Sequence, residues 1–206
     1  MKIESRIWKL NLVVTVAGFL LAAQLHAQTV RYTGTPPGNG SLVKIDGTSS
    51  IHDWTVEGKM IGGSMEIDPG FDADLKTLKS IPKVLVKIPV TQLHDTAKQK
   101  GMDEVLYQAM KATDYSNIEY RLIELKPKDG GKFEATGALT VAGVTKTNTM
   151  SVTFERVDSS KIKVSGSIPM KMSDFNIKPP VLLGIKTGDE VKLSLDWVVK
   201  KAEAPK

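Results

Sequence analysis

Cysteine is absent from the 206 residues. No disulfide can brace the fold, so stability must come from strand pairing and apolar packing. Histidine is scarce, with three in the whole chain, and only His52 and His94 lie beyond the N-terminal segment. A zinc site gathers three or four ligands at close spacing, and two separated histidines do not supply that. After Ala23 no stretch approaches the ~20 apolar residues that span a bilayer. Gly137, Gly143 and Gly166 open no helix after a strand, so they form no phosphate-binding loop and read as bulges or close approaches.

What is present begins with an address. Lys2, Arg6 and Lys9 make a basic start. Leu10–Ala23 is an apolar run broken only by Asn11 and Thr15, and Ala27 offers a small residue for cleavage. This pattern predicts a secretory signal peptide over residues 1–27, cut near Ala27, and a periplasmic or secreted protein. The rival, an uncleaved anchor, is disfavoured because the run is short for a span. No Cys follows the run, which closes the bacterial lipoprotein route. The net charge of +5 falls to +3 once the leader's three cations and one anion are removed. The remaining Lys residues are spread over many strands, as on a solvated face, and no nucleic-acid partner is expected.

Residues 28–206 read as a single domain. Ile162, Val164, Gly166, Ile168, Met170 and Met172 alternate with Lys161, Lys163, Ser165, Ser167 and Lys171. Period-2 alternation of that length predicts a strand with one buried and one wet face. Similar stretches occur at Leu42–Ile45, Ile51–Lys59, Ser64–Asp68, Lys83–Val90, Ile118–Leu125, Lys132–Val141, Thr147–Val157 and Glu190–Val199. Residues 28–41, with Pro36-Pro37-Gly38-Asn39-Gly40, read as a loose entry segment. Asp68-Pro69-Gly70 reads as a turn, because Pro fixes φ and Gly permits positive φ. Phe71–Ser80 fits a short helix or an irregular loop. Met102–Ala112 is the clear helix, with Met102, Val105, Leu106, Ala109 and Met110 on one face and Asp103 and Glu104 in the first turn. About eight antiparallel strands with one short helix predict an all-β, up-and-down barrel, with a sandwich as the alternative.

Little here suggests catalysis. His52-Asp53 and His94-Asp95 resemble metal-binding pairs, but neither sits on a convincing helix. Ser160-Lys161-Ile162-Lys163, followed by Ser173-Asp174-Phe175 and Lys186-Thr187-Gly188, mimics the motifs of serine-based penicillin-recognising enzymes. On a strand, however, Ser160 and Lys163 face opposite ways. The chain is read as no enzyme, needing no cofactor.

Several short blocks in order do carry a family likeness. They are Ala109-Met110-Lys111, Tyr115-Ser116-Asn117-Ile118-Glu119-Tyr120, the run Gly137–Lys146, and Gly166 with Ser173-Asp174-Phe175-Asn176. In these the chain resembles the YceI-like proteins, lipocalin-like barrels that hold a polyisoprenoid chain. The resemblance implies an apolar lipid ligand in the barrel. The family pattern before the last strands is Arg, any residue, Asp-Phe-Gly. Met172 and Asn176 replace its Arg and Gly here, while Asp174 and Phe175 are kept. Without that Arg, an uncharged isoprenoid or quinone-type lipid suits the chain better than a phosphorylated one.

The inward faces suggest the ligand wall: Trp54, Tyr120, Phe154, Met170, Met172, Phe175, Asp174 and Trp197. Methionine is flexible and lines adaptable pockets well, although each Met taken alone reads first as ordinary core filling. A secreted lipid carrier, in transient contact with a membrane surface, is the leading expectation. A filled-core module that binds a protein partner is the alternative, and a metal-dependent hydrolase at the His-Asp pairs is the third.

Overall fold

The computed structural model describes residues 29–182 and 184–203. The leader expected over residues 1–27 lies outside them.

Eight long staves form a closed antiparallel ring, and three of them are interrupted. The first stave is β1 (Val30–Gly34) followed by β2 (Leu42–Ser49); the second is β3 (Asp53–Gly58) followed by β4 (Gly62–Ile67). The third is β5 (Lys83–Pro89) followed by the two-residue β6 (His94–Asp95). Four unbroken strands continue the meander: β7 (Asn117–Pro127), β8 (Lys132–Val141), β9 (Val144–Asp158) and β10 (Lys161–Lys171). A short β11 (Val181–Leu182) precedes the last stave, β12 (Ile185–Lys201). β12 pairs with β10 on one side and with both β1 and β2 on the other, which closes the barrel. Closure leaves no long strand edge unpaired among the described residues.

Alternation decides what is inside. Phe133, Ala135, Leu139 and Val141 of β8 are buried, as are Ile162 and Ile168 of β10 and Leu193, Trp197 and Val199 of β12. The outer positions pair in water, as in Lys163 Nζ with Glu155 at 2.8 Å and Lys87 Nζ with Glu119 at 2.9 Å. Such exposed pairs add little stability, so burial of the inner face dominates.

Two helices close the ends. α1 (Pro69–Asp74) sits at one end, where the expected turn at Asp68-Pro69-Gly70 is instead a helix start. Asp68 Oδ1 accepts from the Phe71 N–H at 3.0 Å, and Pro69 occupies the first turn, where its missing N–H costs nothing. α1 delivers Phe71, which is fully buried, into the barrel. There Phe71, Phe133 and Phe154 meet edge to face, with ring centroids 5.1–5.5 Å apart, a favourable aromatic geometry. These rings seal that end.

The segment read as loose entry contributes β1, whose Tyr32 is buried completely. Beyond it, Thr35 and Ser41 fasten the Pro/Gly loop down. Thr35 Oγ1 donates to the Val198 carbonyl at 2.9 Å, and Ser41 Oγ accepts from the Val198 N–H at 3.0 Å. The loop thereby covers the outer face of Val198, which is itself buried.

At the opposite end α2 (Met102–Ala109) crosses the mouth, three residues shorter than expected from the sequence. Its amphipathic face looks into the barrel.

Candidate functional site

The interior is not filled. Beneath α2 lies a cavity of about 130 Å³. Met102, Val105 and Leu106 of α2, with Met110 at its C-terminal cap, form its roof, and Ile45, Trp54, Val56, Ile118, Met170 and Val191 are among its walls. A second cavity of about 40 Å³ lies below it and shares Ile118 with the first. A third, of about 50 Å³, shares Val86, Tyr120, Met150, Gly166 and Leu195 with the second and reaches down to Phe154 and Trp197. The three chambers therefore run in series from the α2 mouth to the aromatic seal. The separating walls are side chains, Met150 among them, whose flexibility would let an elongated guest join the chambers.

The expected wall residues divide by depth. Trp54, Met170, Met172 and Phe175 come together at the upper chamber. Tyr120, Phe154 and Trp197 also face inward but line the lower chambers. Asp174 does neither: it is exposed and lines none of the three. The acid that braces this turn is Asp189, which accepts from the Ser173 N–H at 2.8 Å and its hydroxyl at 2.6 Å. The turn Met172–Phe175 then buries Phe175 at the upper chamber. Asn176 follows with φ +54°. That left-handed conformation favours Gly and tolerates Asn, which accounts for Asn176 standing where the family pattern has Gly.

Methionine lines the whole route. Met102, Met110, Met170 and Met172 border the upper chamber, Met150 the middle one, and Met65 with Met150 the lowest. From the sequence, Met102, Leu106 and Met110 are expected to cover one end or the side wall of the barrel, and they lie over the upper chamber, although none of them is among the expected ligand contacts. Met102, Val105 and Leu106 are half-buried there, and Met110 is buried.

Glycines make room for aromatic rings. Trp54 lies across Gly47, where any Cβ would collide with the indole, and its Nε1 donates to the Thr48 carbonyl at 2.9 Å. Tyr120 lies across Gly137 in the same way.

The polar groups of the upper chamber gather at its rim. Asp95 is buried, and its carboxylate accepts from the Gln99 N–H at 2.8 Å. His52 Nδ1 lies 2.7 Å from the Asp53 carbonyl, and His94 Nδ1 lies 2.8 Å from Asp103 Oδ2. Among the described residues no three His, Cys, Asp or Glu side chains converge as a metal would require. Among the described residues no Lys or Arg lines any of the three chambers. Deeper, the Tyr120 hydroxyl and the Trp197 indole N–H are buried without a hydrogen-bond partner among the described residues. Burial pushes the Tyr120 phenol up to about 12.

Solved structures share this architecture. BcnA of Burkholderia cenocepacia matches with a TM-score of 0.61 and 20% identity, over 77% of this chain and 95% of its own. A polyisoprenoid binding domain from Saccharophagus degradans, implicated in plant cell wall breakdown, matches with a TM-score of 0.60 and 11% identity, over 85% and 100%. The Campylobacter jejuni YCEI protein matches with a TM-score of 0.56 and 22% identity, over 72% and 85%. None of the curated proteins matches this chain. The YceI-like domain family, in contrast, matches residues 21–199. Sequence blocks, eight-stave barrel and family match agree, and the chain belongs to the YceI-like family.

Proposed function

We propose that this protein binds one neutral, isoprenoid-type lipid along the barrel axis and carries or stores it in the periplasm after loss of its leader. The observation that carries this is the series of three apolar chambers with shared walls, roofed by α2 and closed below by Phe71, Phe133 and Phe154. An elongated chain fits such a route. Each buried CH₂ contributes ~0.8 kcal/mol, from which ordering of the chain subtracts a part. The polyisoprenoid binding described for the Saccharophagus degradans domain supports the same reading.

The head group is uncharged in this proposal. Among the described residues the walls offer no Lys or Arg, Met172 takes the place of the family's Arg, and Asp95 is the acid at the upper chamber. A phosphate there would meet an anion without a counter-charge, an arrangement that desolvation makes costly. A quinone-type lipid meets no such conflict. An open interior also favours a ligand over the filled-core interaction module.

Loading would occur at a membrane surface. Ile51 and Val181 are exposed apolar side chains near the mouth. Their segments are joined where the Ser50 N–H donates to the Lys186 carbonyl at 2.9 Å. Lys178 and Lys186 are exposed alongside. Apolar tips beside cations suit an anionic bilayer.

Organic extraction of the exported, purified protein followed by mass spectrometry tests the function. A neutral prenyl-chain lipid near one per protein is expected. Protein that carries no lipid and takes none up from vesicles would overturn the proposal.

A further inference from the structure

The chambers can be followed down two paired staves. On β10 the inward side is Met170, Ile168, Gly166 and Val164, and these stand opposite Val191, Leu193, Leu195 and Trp197 of β12. Met170 and Val191 border the upper chamber, Ile168 and Leu193 the middle one, Val164 and Trp197 the lowest. Gly166 and Leu195 border both the middle and the lowest, so they mark the waist between them. Gly166 has no left-handed backbone, and no aromatic ring lies on it as on Gly47 and Gly137. A Cβ there would instead press on a Val152 methyl at 2.9 Å and stand 3.5 Å from the Met150 sulfur, two walls of the lowest chamber. The absence of a side chain at Gly166 therefore keeps the waist open.

Below the waist the route ends at Phe154. Its ring borders the lowest chamber and abuts Phe71 at 5.1 Å and Phe133 at 5.4 Å, centroid to centroid. Phe71 is braced from behind, because Asp72 beside it is tied to Tyr32, Lys201 and Arg156. The middle and lowest chambers present only apolar surface, whereas Asp95, Gln99 and Thr187 stand at the upper one. A hydrocarbon end therefore goes in first, and depth becomes a measure of length. Val164 and Met170 are six residues apart on β10, which is about 20 Å along a strand and about 15 Å along the axis of a barrel whose strands tilt by ~40°. An extended isoprene unit, four carbon–carbon bonds long, advances about 5 Å.

Resting on the lipid-binding reading, we infer that the barrel selects its ligand by chain length. It buries about four isoprene units, about three between Met170 and Val164 and about one beneath α2. Gly166 is the waist that the chain passes, and Phe154 is the floor at which it stops. Both are specificity-determining residues.

A mixture of all-trans prenols tests this: geraniol, farnesol, geranylgeraniol, geranylfarnesol and solanesol, with two, three, four, five and nine units. Delipidated protein is equilibrated with vesicles holding equal amounts of each, re-isolated, extracted and read by mass spectrometry. A unit that enters the barrel leaves one hydrocarbon environment for another, whereas a unit left outside meets water. Wild type should therefore retain chains up to geranylgeraniol and disfavour geranylfarnesol and solanesol by about tenfold or more. Gly166→Ala narrows the waist and Val164→Phe fills the lowest chamber, and each should move the cut-off about one unit shorter. Phe154→Ala should move it about one unit longer. Melting temperatures identify the folded variants, and should Phe154→Ala fail to fold, the two shortening variants still decide. Solanesol retained by wild type as well as geranylgeraniol, or the same cut-off in wild type and every folded variant, would overturn length selection while leaving lipid binding intact. Failure of wild type to retain any prenol would overturn the lipid-binding reading itself and this inference with it.

Discussion

The Nδ1 of His94 lies 2.8 Å from Oδ2 of Asp103, and this contact fastens the first turn of α2 to β6 at the mouth of the upper chamber. The other oxygen of Asp103 accepts from the Asp95 N–H at 2.8 Å, and Tyr107 Oη, one turn further on, donates to the Leu93 carbonyl at 3.0 Å. The helix is thus held mainly from one side, through β6. Its apolar face roofs the upper chamber, and Leu106 and Ala109 also pack against the edge of the core. A lid attached in this way can swing without unfolding the barrel.

Removing Asp103 should loosen that lid. Asp103→Ala is expected to cost about 1 kcal/mol, since the carboxylate is partly exposed and its hydrogen bonds are modest in net terms. The larger effect should be kinetic, with faster amide exchange in α2 and faster lipid release. The pH dependence follows from the Asp95 N–H, and secondly from His94, which hold the Asp103 carboxyl below its ordinary range. Its contribution is complete above the unfolded value near ~4 and fades as pH falls through the folded value. The difference between wild type and variant should therefore shrink in acid. Equal exchange rates for α2 in both proteins would contradict the lid role.

The sealed end depends on one carboxylate. Asp72 of α1 accepts from Tyr32 Oη at 2.6 Å and from Lys201 Nζ at 2.9 Å, and Arg156 donates both to its side chain at 3.2 Å and to its carbonyl. Burial raises the pKa of Asp72, but the hydrogen bonds from Tyr32, Lys201 and Arg156 outweigh it and hold the carboxyl low. A lowered folded pKa stabilises the protein above the unfolded value, and the gain is lost as pH drops through the folded one. Asp72→Asn is expected to cost about 2 kcal/mol at neutral pH. Chemical denaturation from neutral pH into acid should show the two proteins converging. A constant gap across that range would mean that the loss is steric.

The rim offers a separate test. Ile51→Glu with Val181→Glu should leave affinity for delivered lipid unchanged, because neither side chain lines a chamber. Transfer of lipid from anionic vesicles should slow about tenfold or more, since two apolar tips are lost and two anions face the bilayer. Unchanged transfer rates would show that loading does not use this rim.

Strand β10 was legible because alternation of Ile162, Val164, Ile168 and Met170 with lysines has one structural solution, a half-buried strand. β1 was not. It offers one inward aromatic, Tyr32, next to a Pro/Gly-rich stretch, and it is a strand because β4 and β12 pair with it from distant parts of the chain. The start of α1 carried a readable signal, Asp68 before Pro69, but a six-residue helix exists mainly because Phe71 packs inside. At the site, the facing of Trp54, Tyr120, Phe154, Met170, Met172 and Trp197 followed from period and composition. Their depth did not, because it depends on strand tilt and register around the ring. Asp174 was drawn in by the family pattern, and its position on the outside of the turn belongs to three-dimensional geometry that no local spacing records.

The most direct test of the central claim is Met170→Trp, which places a larger ring in the upper chamber. Lipid per protein by mass spectrometry and melting temperature are measured together on exported wild type and variant. An open, ligand-holding barrel predicts that lipid is lost while the melting temperature of the delipidated forms stays close. Retention of the same lipid, or a stability loss of the ~1–3 kcal/mol typical of an overpacked core with no lipid in either protein, would contradict it.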